Sequence, residues 1–270
     1  MPELPEVETT RAGIAPLIEG KQVSGIELRA ATLRQPLDPA LKRLLPGQCV
    51  RRVWRRGKYL ILTLDRGSLL IHLGMSGSLR FVRADLAAEK HDHVDLVFGG
   101  HCLRLRDPRK FGTLLWTRDD PLEHRLLRHL GPEPLSDAFD ADWLHARSRG
   151  RRLAIKSFIM NGQTVVGVGN IYANEALFAA GIQPKRACGR ISRVRYQLLV
   201  GHIKRILQAA IEQGGTTLRD FQNEQGRPGY FAQRLQVYGR AGKPCPNCAR
   251  PISQTVIGQR SSYYCAHCQR

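Results

Sequence analysis

Residues 50–73 read VRRVWRRGKYLILTLDRGSLLIHL, and this stretch decides how the first half of the chain folds. Three short runs, Val50 to Arg56, Tyr59 to Leu64 and Ser68 to Leu73, are parted by Gly57-Lys58 and by Asp65-Arg66-Gly67. Branched or alternating runs of this length, bounded by Gly and Asp, read as strands. The same texture extends on both sides, in Gln22 to Arg29, Ser78 to Val82, His93 to Phe98, Cys102 to Arg106 and Thr113 to Thr117. Short strands at that spacing predict a β-sandwich or barrel. Ahead of them, Val7, Arg11, Ile14 and Leu17/Ile18 recur at helical spacing after Pro5 and predict a helix over 5–18.

Gly131-Pro132-Glu133-Pro134 ends any regular element and marks a boundary. Beyond it the pattern is helical: Ala141 to Arg149, Asn170 to Ala180 stopped by Gly181, and Ser192 to Gln213 stopped by Gly214-Gly215. In the last, Val194, Leu198, Ile203, Leu207 and Ile211 are expected to form the buried stripe. The organisation is α+β and multidomain, divided as residues 1–132, 133–235 and 236–270.

In 270 residues, 42 Lys+Arg stand against 23 Asp+Glu, a net charge of +19, and the strongest reading is a polyanionic partner, nucleic acid before membrane. No segment approaches the roughly 20 apolar residues of a membrane span. The first twenty residues carry Glu3, Glu6 and Glu8 and lack the apolar stretch of a signal peptide, so a soluble, cytosolic protein is expected. Arg147, Arg149, Arg151, Arg152 and Lys156 form a basic run, either a solvated face or a contact to DNA backbone.

Four of the seven cysteines sit in Cys245-Pro-Asn-Cys248 and Cys265-Ala-His-Cys268. Each C-x2-C turn can place two thiolates on one ion, and two such turns complete a tetrahedral structural zinc site, one ion per chain. So short a tail has little core, so metal binding supplies its folding free energy. A redox pair or disulfides is the alternative. His267 is expected to be a bystander, and Cys49, Cys102 and Cys188 small buried hydrophobes. Arg260 lies between the two cysteine pairs, where a hairpin can present it to a phosphate.

Removal of Met1 leaves Pro2 as a free secondary amine, which condenses with an aldehyde to a permanently cationic iminium. An α-amino group titrates near pH 7.7 to 8, so part of it is nucleophilic at neutral pH. Glu3 and Glu6 are candidate acid/base partners, or else simply favourable carboxylates at a helix start. Gly167-Val168-Gly169-Asn170 opens onto a helix, where backbone N–H groups and the Asn170 amide can grip a phosphate.

PELPEVE at the start, RRGKYL around Lys58, HLGMSGSLR, KHDHVDL, DPRKFG, VVGVGNIYANEALF, GGTTL, PGYFAQRLQVYGR and the four-cysteine tail occur in one order. In this the chain resembles the formamidopyrimidine-DNA glycosylases over essentially its whole length. The resemblance implies an N-terminal β-sandwich, a helical domain with a helix-two-turns-helix motif and a C-terminal zinc finger. It implies a bifunctional glycosylase and abasic-site lyase that removes oxidised purines, chiefly 8-oxoguanine and formamidopyrimidines, then cuts the strand by β- and δ-elimination. PELPE rather than PEGPE is similar to the purine-directed branch. The implied partner is double-stranded DNA with oxidised purines or abasic sites, bound by a monomer with no membrane association.

By the same resemblance Pro2 is the Schiff-base nucleophile and Glu3 the acid assisting glycosidic cleavage and ring opening. Lys58 corresponds to the acid of β-elimination, Arg260 to that of δ-elimination, and Glu6 supports the site. His91, Arg109, Arg151 and Asn170 match DNA-contacting positions. Met75, Arg109 and Phe111 match a trio that fills the gap left by an everted nucleotide, although alone Met75 and Phe111 read as core. A lesion-capping loop is implied near residues 215–230. The alternative is a zinc-finger protein that binds damaged DNA without cleaving it, which an intact Pro2, Glu3 and Lys58 disfavour.

Overall fold

The computed structural model describes residues 2–215 and 235–270. Most of the stretch expected to cap the lesion lies outside them. Two compact units form: residues 2–128 with 213–215, and residues 129–212 with 235–270.

The first unit begins with α1 (Leu4–Ile18), β1 (Gly25–Leu28), the single turn α2 (Leu41–Leu44), β2 (Val50–Arg56) and β3 (Tyr59–Leu64). It continues with β4 (Gly67–His72), β5 (Ser78–Arg83), β6 (Asp92–Phe98), β7 (His101–Arg106) and β8 (Thr113–Thr117). Two antiparallel sheets result, ordered β2-β3-β4-β8 and β1-β6-β7-β5. Leu60, Leu62, Leu69 and Ile71 of the first meet Leu79, Val94, Leu96, Leu103 and Leu105 of the second in one core. The architecture is therefore a sandwich of two sheets, and the barrel is set aside. Register follows from the core: Leu60 lies opposite Ile71 and Leu62 opposite Leu69, and a one-residue slip would turn these side chains to the other face. Helix α1 adds Val7, Ile14 and Ile18 to the same core.

The outer face of the second sheet carries a buried charge network. Arg104, only 1% exposed, forms two 2.8 Å hydrogen bonds to the Asp95 carboxylate and donates to the carbonyls of Leu86 and Ala87. Arg29 reaches the same carboxylate at 2.6 Å. Burial pushes the Asp95 carboxyl up, but hydrogen bonds from Arg104 and Arg29 outweigh it and hold the group below its ordinary range.

The second unit holds α3 (Ala141–Ser148), α4 (Ile155–Met160), α5 (Asn170–Ala179), α6 (Arg193–Glu212) and the hairpin β9 (Ser253–Ile257) with β10 (Arg260–Tyr264). Helix α4 was not anticipated, being only six residues long. The buried stripe of α6 is Tyr196, Leu199, Val200, Ile203, Leu207 and Ala210, which keeps Ile203 and Leu207 of the expected stripe and corrects Val194, Leu198 and Ile211. Val194 and Leu198 are 66% and 53% exposed, because at 3.6 residues per turn they fall on the opposite side from Tyr196 and Ile203. Among the described residues no helix is long and apolar enough to cross a membrane.

Arg104→Ala should strand much of the Asp95 charge and lower stability by about 3 kcal/mol. Urea unfolding measures this, and Arg104→Lys should recover little of it because one ammonium cannot reproduce the two-pronged contact.

Candidate active site and nucleic-acid interface

At the start of α1, Glu3 is the helix cap and Glu6 the third helical residue. The Glu3 carboxylate accepts from the Glu6 backbone, while the Glu3 N–H donates to Glu6 Oε2 at 2.8 Å. This reciprocal pair satisfies donors that a helix start otherwise leaves open. Both side chains are nearly inaccessible, at 3% and 2%, and Pro2 immediately before them is buried. Gly215, with φ of 81°, closes over Glu6: a Cβ there would lie 3.0 Å from Glu6 Oε1. The two candidate carboxylates thus also build the turn that follows Pro2.

Lys58 occupies a two-residue hairpin between β2 and β3, closed by the Arg56–Tyr59 pair. Gly57, at φ of 57°, takes the first central position while Lys58 keeps an ordinary negative φ, the type II′ pattern. Arg55 donates through Nε to Glu8 Oε2 at 2.9 Å and through its terminal nitrogen to the Gly57 carbonyl at 3.1 Å. Burial raises the Glu8 carboxyl, but hydrogen bonds from Arg11 and Arg55 prevail and leave it lowered. His72, on the strand paired with β3, packs on Tyr59 with ring centroids 4.8 Å apart, and its Nδ1 accepts the Gly74 N–H at 2.9 Å. Burial, then the charges of Lys58 and Arg34, lower its pKa to about 4, so the imidazole is neutral and carries its proton on Nε2.

The loop bearing Met75 and the loop bearing Arg109 and Phe111 are locked together. Asp107, fully buried, accepts from Ser76 Oγ at 2.8 Å and from the Gly112 N–H at 2.7 Å. A Cβ on Gly74 would strike Phe111 backbone at 2.5 Å. Arg109 stands over the Phe111 ring at 4.8 Å, and Phe111 is 43% exposed, so it is not a core residue; Met75 is half-buried. His91 is half-buried beside His93, whose Nε2 bonds the Asp107 carbonyl at 2.9 Å.

In the second unit, Asn170 is the first residue of α5 after Gly169, and its buried Oδ1 has no hydrogen-bond partner among the described residues. The upstream basic run is not one face. Arg151 and Arg152 are exposed, Arg147 lies on the Trp143 ring, and Arg149 donates to the carbonyls of His145 and Ile191. Lys156 is fully buried, bonded to the Ser261 carbonyl at 2.9 Å and Ser262 Oγ at 2.6 Å.

Arg260 is exposed at the start of β10, directly after Gly258 and Gln259, whose φ values of 55° and 59° make a type I′ turn. The four cysteine sulfurs lie within 4.8 Å of one another, with 4.0 Å between Cys245 and Cys268 and 3.5 Å between Cys248 and Cys265. These separations are too long for disulfides and match the roughly 3.8 Å edge of a tetrahedron with Zn–S bonds of about 2.3 Å. The cluster is a structural zinc site. His267 stays outside it, paired with Arg250. Cys102 and Cys188 are buried as expected, whereas Cys49 is only half-buried.

Three family profiles cover the chain. They are the formamidopyrimidine-DNA glycosylase N-terminal domain over residues 1–114, the H2TH domain of the same enzymes over 130–222, and a zinc finger found in FPG and IleRS over 242–270. The chain belongs to the formamidopyrimidine-DNA glycosylase family. Named members from Methylococcus capsulatus and Stenotrophomonas maltophilia are 58% and 56% identical, with all of both chains covered. Among solved structures, a Lactococcus lactis FPG mutant bound to Fapy-dG-containing DNA is 34% identical with a TM-score of 0.93, covering both chains completely. The MutM (FPG) protein of Thermus thermophilus is 37% identical with a TM-score of 0.88, covering 99% of this chain and 98% of its own.

For this family member, motif reading did not single out Arg55, His72, Asp107 or Asn174. Their role is to hold others in place, and such contacts join segments distant in sequence.

Two outcomes follow from the geometry. Strong chelation should unfold the zinc hairpin and weaken DNA binding on the order of tenfold or more, since the hairpin that presents the exposed Arg260 is lost; undiminished affinity with zinc shown absent would remove the finger from the interface. His72 should titrate near pH 4 by NMR. Its neutral form is the one the fold prefers, so its contribution to stability is complete above about pH 6.5 and lost as pH falls towards 4.

Proposed function

We propose that this chain is a base-excision repair enzyme that excises oxidised purines, 8-oxoguanine and formamidopyrimidines, from double-stranded DNA through a Pro2 Schiff base and nicks the strand by β- and δ-elimination. The carrying observation is the first turn of α1, where a buried Pro2 precedes the reciprocally bonded Glu3 and Glu6. A family match along the whole chain supports the assignment.

With Met1 removed, the Pro2 nitrogen attacks the deoxyribose C1′, and the C1′–N bond electrons leave with the base, which takes up a proton. Glu3 protonates the ring oxygen as the sugar opens, leaving a C1′ iminium. That cation acidifies C2′–H; its loss gives an enamine that expels the 3′ phosphate, with Lys58 as the acid of this step. A second elimination expels the 5′ phosphate with Arg260 as its acid, and water hydrolyses the iminium to return the amine. His91, Arg151 and Asn170 hold backbone, while Met75, Arg109 and Phe111 fill the vacated stack. In this reading residues 1–132 are the catalytic domain, 133–235 the DNA-binding helices and 236–270 the finger. The protein acts as a cytoplasmic monomer on nucleoid DNA.

An uncleaved amino-terminal extension would make the Pro2 nitrogen an amide without a nucleophilic lone pair. Strand cleavage and borohydride trapping should then be abolished while most DNA affinity survives. A carboxyl-terminally tagged protein, shown by mass to lack Met1, is the control. Normal trapping by the extended form would pass the nucleophile's role to a lysine; trapping by neither form would favour the non-catalytic binding protein.

A further inference from the structure

We propose that Arg55 is a positioning residue for elimination: by spanning the Glu8 carboxylate and the Gly57 carbonyl, it fixes the Lys58 turn to the helix that carries Pro2. The proposal rests on the roles assigned above to Pro2 and Lys58.

The Gly57 carbonyl belongs to the central peptide of the type II′ turn, the peptide whose orientation sets where the Lys58 side chain departs. Rotating that peptide would convert the turn to type I′ and demand a positive φ at Lys58, which a residue with a Cβ resists. The 3.1 Å bond from Arg55 holds the carbonyl in its present direction. At its other end the same guanidinium bonds Glu8 at 2.9 Å, and Glu8 is held from behind by Arg11 at 2.8 Å. Glu8 lies on the same helix two residues after Glu6, so a short, polar, rigid path runs from the cap to the turn. The Arg55 and Glu8 side chains are only 12% and 20% exposed, which limits competition from water. Lysine at position 55 could still pair with Glu8 but has no planar fork to reach both acceptors at once.

The test compares wild type, Arg55→Lys, Lys58→Ala and the double variant in single-turnover cleavage of DNA with a pre-formed abasic site. DNA affinity, urea midpoint and borohydride-trapped yield are measured alongside. Arg55→Lys should slow elimination on the order of tenfold, as expected for a misplaced proton donor, with affinity and trapped yield preserved. Its effect should vanish in the Lys58→Ala background, because without the lysine there is nothing left to position. Glu8→Gln, which weakens the anchor and leaves the guanidinium in place, should act in the same direction by a smaller factor. If Lys58→Ala slows elimination but Arg55→Lys does not, or if the two effects multiply, the inference fails while the assignment of Lys58 stands. If Lys58→Ala itself leaves elimination unchanged, the assignment fails and takes the inference with it.

Discussion

The reciprocal hydrogen bonds between Glu3 and Glu6 are the constraint from which the arrangement of the first unit proceeds. A helix start leaves several N–H groups without intrahelical partners, and here two buried carboxylates meet that demand within one turn. The consequence reaches one residue upstream. Pro2 is buried and is followed by a cap in one defined conformation, which limits where its ring can sit. The next residues of α1 extend the same order outward: Val7 enters the sandwich core, and Glu8 meets Arg55.

A different economy governs the second unit. The zinc hairpin has only a small apolar cluster, formed by Phe178, Val237, Ile252 and two of the cysteines. Metal coordination closes the hairpin, but it does not determine the direction in which Arg260 is presented. Buried polar contacts do that. Lys156 holds β10 through Ser261 and Ser262, and Asn174 accepts the Tyr263 N–H at 2.7 Å while donating to the Asn170 carbonyl at 2.6 Å. Glu175 accepts three successive N–H groups, from Gln236, Val237 and Tyr238. Burial raises its carboxyl, opposed by these bonds and by the charge of Arg240, so the lead into the finger is held by a buried acid whose acceptor oxygens are met by three backbone donors.

Much of this was legible in the sequence for local reasons. Strands β2, β3 and β8 fall where alternation and Gly or Asp breaks placed them, and the two C-x2-C turns are readable because the ligands come in two short-range pairs, Cys245 with Cys248 and Cys265 with Cys268. What escaped is set by long-range geometry. The orientation of α6 could not be read from its apolar residues, because Val194 and Leu198 continue the count of hydrophobes without facing the core. The tie between Arg55 and Glu8 spans 47 residues, and nothing local distinguishes Arg55 from its neighbour Arg56.

Lys156 shows why composition alone misleads. In the sequence Lys156 closes a basic run with Arg151 and Arg152 that reads either as a solvated face or as a contact to DNA backbone. The fold separates them by donor geometry. An ammonium is compact and tetrahedral, so it can aim at the Ser261 carbonyl and the Ser262 hydroxyl from a fully buried position. Arginine would bring five donors in a rigid plane to the same space, and each N–H left without an acceptor there would carry the full cost of desolvation. The residue that looks interchangeable on charge is therefore fixed by the number and direction of its hydrogens.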